Sequence, residues 1–177
     1  MAMMNNNTGV DTESGRFVSE TGEVTLDHAR NTFQVVTPRS EGFSLPANAE
    51  GRGAFMRVTA NSTYSCFMAA SRDGQPLAVS RRILLLHLTE SLNALIRFRD
   101  ANMTVLENWG TNRAMYRAGK AQVTLSVGDG PRPTLYACSQ TGQRLAEVPC
   151  DVRDGKLTFT ADNTLQGQPV FVYELVR

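Results

Sequence analysis

Short stretches of alternating apolar and polar residues, each stopped by turn-forming residues, constrain this chain more than any other feature. The clearest runs from Lys120 to Gly128. Ala121, Val123, Leu125 and Val127 point to one side, and Gln122, Thr124 and Ser126 to the other. A period of two is that of a strand with one buried and one wet face. Asp129-Gly130-Pro131 ends it, because proline offers no N–H to a ladder and glycine weakens a strand.

The pattern recurs on both sides. Thr134 to Ser139 and Arg144 to Val148 flank Thr141-Gly142 and read as a hairpin. Asp151-Val152-Arg153 and Leu157 to Thr160 flank Asp154-Gly155, a second hairpin. Pro169 to Val176 is apolar on both faces, as a strand buried between layers would be. Upstream, Glu23 to Asp27 and Thr32 to Thr37 flank Ala29-Arg30-Asn31. Gly53 to Ala60 and Thr63 to Ala70 flank Asn61-Ser62, a further hairpin candidate in which Tyr64, Cys66 and Met68 share a face. Strands spaced by about 8–12 residues predict an all-β sandwich or barrel.

One segment is ambiguous. Ser80 to Asp100 contains neither Gly nor Pro, and Leu85, Leu88, Leu92 and Leu95 have helical spacing. Arg81 to Glu90 reads equally well as a central strand buried on both faces. Purely apolar runs such as Ile83 to Leu86 fall far short of the ~20 residues of a membrane helix.

A length of 177 residues fits one domain. We expect residues 16–177 to form it, after a disordered lead-in or artificial junction over residues 1–15, which lack the basic and apolar regions of a signal peptide. The 18 basic and 17 acidic residues leave a net charge of +1, which offers no basic face for nucleic acid or an anionic membrane. Arginine outnumbers lysine, present only as Lys120 and Lys156.

Chemistry is sparse. The three cysteines, Cys66, Cys138 and Cys150, form no C-x-x-C pair, and His28 and His87 lie far apart, so no metal site and no cofactor site is expected. In the hairpin around Thr141-Gly142, paired residue numbers sum to 283. Cys138 then faces Leu145 and lies about 17 Å from Cys150, too far for a disulfide. There is no G-x-S-x-G elbow, Walker loop or G-x-G-x-x-G, and Ser91 follows His87 at helical spacing only. Glu90 and Glu107 fall near strand ends, where a glycosidase would need two carboxyl groups roughly 5–10 Å apart. Trp109 sits among apolar neighbours and is expected in the core.

Several stretches resemble the C-terminal β-sandwich domain of bacterial glycoside hydrolase-like proteins. They are Gly22 to Gly42, Arg81 to Phe98, Thr104 to Leu125, Leu135 to Asp162 and Val172 to Arg177. The resemblance implies a two-sheet antiparallel β-sandwich, with residues 82–90 a strand. It also implies an accessory role with no catalytic residue in this chain, packing on a catalytic barrel encoded elsewhere and in contact with a glycan. The compartment is not read from the residues; a secreted or periplasmic setting follows only if the chain is part of a longer glycosidase. Two other functions fit the residues: a carbohydrate-binding module with Trp109 and a tyrosine exposed on one sheet face, and a small stand-alone hydrolase using Glu90 and Glu107. The expected core comprises Val24, Leu26, Phe33, Val35, Met56, Val58, Cys66, Met68, Leu84, Leu86, Trp109, Val123, Leu125, Leu157, Phe159, Phe171 and Tyr173.

Overall fold

A computed structural model describes residues 10, 11 and 13–177. The strands in chain order begin with β1 (Val10–Asp11), β2 (Arg16–Val18), β3 (Val24–Asp27), β4 (Thr32–Val36) and β5 (Ser40–Leu45). Next come β6 (Gly51–Arg52), β7 (Met56–Thr59), β8 (Ser65–Ser71) and β9 (Arg82–Thr89). Four short strands follow: β10 (Ser91–Asn93), β11 (Arg97–Phe98), β12 (Leu106–Asn108) and β13 (Ala114–Tyr116). The last are β14 (Lys120–Ser126), β15 (Thr134–Cys138), β16 (Arg144–Glu147), β17 (Asp151–Arg153), β18 (Lys156–Asp162) and β19 (Val172–Val176). Leu165–Gly167 is a single 3-10 turn.

The all-β expectation holds. Residues 82–90 are a strand over Arg82–Thr89, paired along both edges by β8 and β19, but it is buried on one face only: Ile83, Leu85 and His87 point inward while Leu84, Leu86 and Leu88 lie on the outer face. The arrangement is more divided than two sheets. One ten-stranded sheet runs β1-β2-β3-β4-β5-β8-β9-β19-β15-β16 and one five-stranded sheet runs β17-β18-β14-β7-β6. Two ribbons, β10-β13 and β11-β12, stand apart from both. Of the expected lead-in, residues 1–9 and 12 lie outside the described residues, and Val10–Asp11 pairs with β2.

The two large sheets share one core. Phe43, Phe67, Ala69, Ile83, Leu85, Leu135 and Leu175 come from the larger sheet, and Met56, Val58, Val123, Leu125, Leu157 and Phe159 from the smaller. Tyr173 of β19 meets the Phe159 ring at 5.5 Å and donates its hydroxyl to the Asp162 carbonyl at 2.9 Å. Glu41 of β5 is the polar clasp between the sheets. Its carboxylate accepts the backbone N–H groups of Ala54, Phe55 and Met56 at 2.7, 2.8 and 2.7 Å. Gly53 has no side chain because a Cβ there would collide with that carboxylate.

Several expectations need correction. Asn61-Ser62 is not a hairpin turn: β7 belongs to the smaller sheet and β8 to the larger, so the chain crosses between them there. The buried Asn61 amide donates to the carbonyls of Leu45 and Pro46, holding that crossing. β5 carries a charged residue and a glycine, Glu41 and Gly42, and gives no strand signal in the sequence. The hairpin register sums to 283 at Tyr136–Glu147 and Ala137–Ala146, but a bulge sets Cys138 opposite Arg144 rather than Leu145. The three cysteines are all free.

The core expectation fails on the outer side of the larger sheet and at Trp109. Met56, Val58, Val123, Leu125, Leu157, Phe159 and Tyr173 are buried. Leu26, Phe33, Cys66, Met68 and Trp109 are exposed, and Val24, Val35, Leu84, Leu86 and Phe171 are half-buried. The inward face of β8 and β9 is instead Phe67, Ala69, Ile83, Leu85 and His87. Both faces of these strands are apolar, and a shift of one residue exchanges them.

Candidate interaction surface

The displaced residues are contiguous. Phe17, Leu26, Phe33, Ser44, Cys66 and Leu88 form one row across the outer face of the larger sheet, strand against strand. Val24, Val35, Gly42, Met68, Leu86 and Val172 form the next. β5 contributes only the small residues Ser40, Gly42 and Ser44 to this face, so the larger side chains of β4 and β8 rise on either side of it. The result is a trough of about 360 Å³ lined by Phe33, Val35, Cys66, Met68, Leu86 and Leu88. Tyr64 closes one end, its hydroxyl 2.5 Å from that of Ser44.

Leu26, Phe33, Tyr64, Met68 and Leu88 are each 39–45% exposed. At ~200 Å² for a whole large side chain, they leave on the order of 400 Å² of apolar surface to water. A patch of that size lies in the range that is often functional on a single-domain protein. At the far edge the face turns polar. Glu174 bonds Arg82 and, at 2.7 Å, Arg144, whose guanidinium lies 4.2 Å over the Tyr136 ring. Those two arginines hold the Glu174 carboxyl below its usual range against the opposing effect of burial.

The sequence-derived catalytic candidates are not brought together. Residues 90–118 form an arm, the two ribbons arranged end to end. Glu90 stands at its base and is bonded by Arg117 at 3.0 Å; Glu107 is bonded by Arg99 at 3.3 Å. The ribbon register sets the two glutamates about eight residues apart along the arm, on the order of 25 Å, beyond a glycosidase pair. His87 is buried, stacked on Phe67 at 4.7 Å, with Ser65 Oγ 3.4 Å from Nε2 and no partner for Nδ1. Burial pulls its pKa down to about 4. Ser91 instead donates to the Met115 carbonyl. Among the described residues, no three His, Cys, Asp or Glu side chains cluster as a metal site would need, and no helix is long and apolar enough to cross a membrane.

Trp109 is 74% exposed, just past the end of β12 on the arm, and not on either large sheet face. The sequence signal that misleads is its apolar approach, Val105-Leu106; the polar Asn108, Gly110 and Thr111 around it carry the contrary information. A second recess of about 480 Å³ is polar, lined by Arg16, Asp27, Arg30, Gln34 and Glu50 among others. Searched against protein-family models, curated proteins and solved structures, the chain has no match.

Proposed function

We propose that this chain is a non-catalytic accessory module, a β-sandwich whose layers are the ten- and five-stranded sheets. It packs through the outer face of the larger sheet on the catalytic barrel of a bacterial glycoside hydrolase-like protein. The observation that carries the reading is the continuous apolar trough between Phe33 and Leu88. Magnitude favours a tethered partner over a free one. Covering ~400 Å² on one side contributes about 10 kcal/mol of gross apolar transfer. Free association costs ~4–15 kcal/mol, and stable complexes cover ~800 Å² per partner. A partner joined by the same polypeptide escapes most of that cost through its effective concentration.

The test is to look for a barrel-coding segment beside this one in the genome and to co-purify the chain with its protein product; the absence of such a segment would overturn the reading. Wild-type chain should be retained by the barrel, and the double variant Phe33→Glu/Leu88→Glu should not. Equal recovery of both would overturn the reading. A stable dimer of the isolated chain, broken by the same substitutions, would assign the trough to a second copy instead.

A glycan-binding reading is favoured by one observation, the exposure of Trp109. Its ring offers the flat amphipathic surface on which sugars stack.

A further inference from the structure

The arm is built to hold one kink, and the kink displays the two most exposed large apolar side chains, Leu95 at 76% and Trp109 at 74%. Its backbone is over-determined. Leu95 has φ +65°, a left-handed conformation that a residue with a side chain rarely keeps. Opposite it, Gly110 has φ +73°, and a Cβ there would strike the Ala94 carbonyl. The Thr111 N–H donates to the Ala94 carbonyl at 2.8 Å and the Gly110 N–H to Asn108 Oδ1 at 2.8 Å. The Asn93 amide donates to the Trp109 carbonyl at 3.2 Å. The base is equally fixed: buried Asn163 donates to Thr89 Oγ1 and the Arg117 carbonyl, and accepts the Gly119 N–H. Strain held in place this way is a signature of a working site, because it presents contact groups without an ordering cost on binding.

The charge around the kink is one-sided. Every acid of the arm is engaged: Glu90 with Arg117, Glu107 with Arg99, and Asp100 with Thr104 and the Asn102 N–H in the turn at the tip. Among the described residues, Arg97 and Arg113 have no ion-pair partner. Arg113 lies opposite Ala94, its carbonyl accepting the Ala94 N–H, and Arg97 lies opposite Asn108. The backbone positions of the two unpaired arginines therefore bracket those of Leu95 and Trp109, three residues or about 10 Å apart along the arm.

We propose that the kink is a binding site for an acidic polysaccharide, a chain of uronic acid sugars. The Trp109 ring stacks on a pyranose face, Leu95 widens the apolar floor, and Arg97 and Arg113 pair with carboxylates of flanking sugars. The fork of an arginine matches a carboxylate in two parallel bonds. A neutral sugar would leave both cations unused, and a purely electrostatic partner would leave the indole unused. This site lies on the arm rather than the sheet; it rests on the glycan-binding reading of Trp109 and not on the docking reading, and the two are tested with different side chains.

The experiment is affinity electrophoresis of the whole chain through gels holding polygalacturonate, alginate, neutral dextran or poly-L-glutamate. The expected result is retardation by a uronate polymer and none by dextran or poly-L-glutamate. Trp109→Ala should weaken it about tenfold or more, and Arg97→Ala/Arg113→Ala should abolish it. Leu95→Gly, which relieves the left-handed strain and so keeps the fold, should also weaken it. Unchanged thermal midpoints in all three variants tie the losses to contact. Four results would overturn the proposal: no retardation by either uronate polymer, equal retardation by dextran, retention of binding in Trp109→Ala, or equal retardation by poly-L-glutamate. The last would point to an acidic protein partner.

Discussion

Lowering the pH from 7 to 4 is expected to cost this fold about 3 kcal/mol at a single side chain, His87. The imidazole is 1% exposed on the inner face of β9, stacked on Phe67, and Nδ1 has no hydrogen-bond partner. Burial lowers its pKa from 6.5 to about 4, only partly offset by the negative charge of Asp162. In the unfolded chain the group takes a proton near pH 6.5; in the folded chain it waits until about pH 4. Between those values the unfolded state binds more protons, so stability rises with pH across the window and is lost as pH falls through it. Each unit of pKa difference is worth about 1.4 kcal/mol, and the gap of roughly two units or more gives the figure above. The assay is urea denaturation at half-unit steps from pH 7 to 4, for wild type and for His87→Leu, which keeps the volume and removes the titration. Because Ser65 keeps its bond to the Thr63 carbonyl, the variant strands no hydroxyl. Its stability should stay nearly flat down to pH 5, where carboxylates begin to contribute. Parallel curves for the two proteins would refute the argument, since His87 would then be hydrated or paired in both states.

Three further outcomes are expected. Glu41→Gln turns an amide N–H₂ toward one of three backbone donors and should cost about 3 kcal/mol, read as a fall of roughly 6–12 °C in the thermal midpoint; a fall under about 2 °C would show that the loop bearing Ala54 to Met56 is held otherwise. Trp109→Ala should change stability by less than about 0.5 kcal/mol, where a core tryptophan would cost ~3–5 kcal/mol, and chemical denaturation separates the two. A maleimide should label exposed Cys66 first, because burial raises the thiol pKa of both Cys138 and Cys150; a bulky label there should also suppress binding of a hydrophobic dye to the trough, and preferential labelling of Cys138 would contradict the burial.

What the sequence reveals depends on whether one face of a strand is polar. In β14, Ala121, Val123 and Leu125 alternate with Gln122 and Thr124, and the inward face is legible. In β8 and β9 both faces are apolar, Phe67 and Ala69 against Cys66 and Met68, Ile83 and Leu85 against Leu84 and Leu86. Alternation then announces a strand without saying which side is in. The side that was misassigned is the candidate surface itself, for the same reason: an outward apolar face imitates a core. β5 was illegible because its inward Glu41 works as a ligand for backbone N–H groups, a role no hydropathy pattern records. The arm's kink left a fainter trace, Gly110 beside Trp109, whose meaning depends on the Ala94 carbonyl across the ribbon.

The strand order also bears on how the chain reaches this state. β19 lies between β9 and β15, with Arg82 beside Val176 and Thr134 beside Val176 on the other side. Pairs so distant in sequence carry a large loop-closure cost, and folds dominated by them form in milliseconds to seconds rather than microseconds. Until β19 inserts, β9 and β15 each present an open edge of unpaired N–H and C=O groups, and β9 does so next to Leu86 and Leu88. An open edge beside an apolar face is the geometry of strand-to-strand aggregation. The yield of folded protein should therefore fall steeply with concentration during refolding, and a peptide of the β19 sequence, added in excess, should compete for that slot.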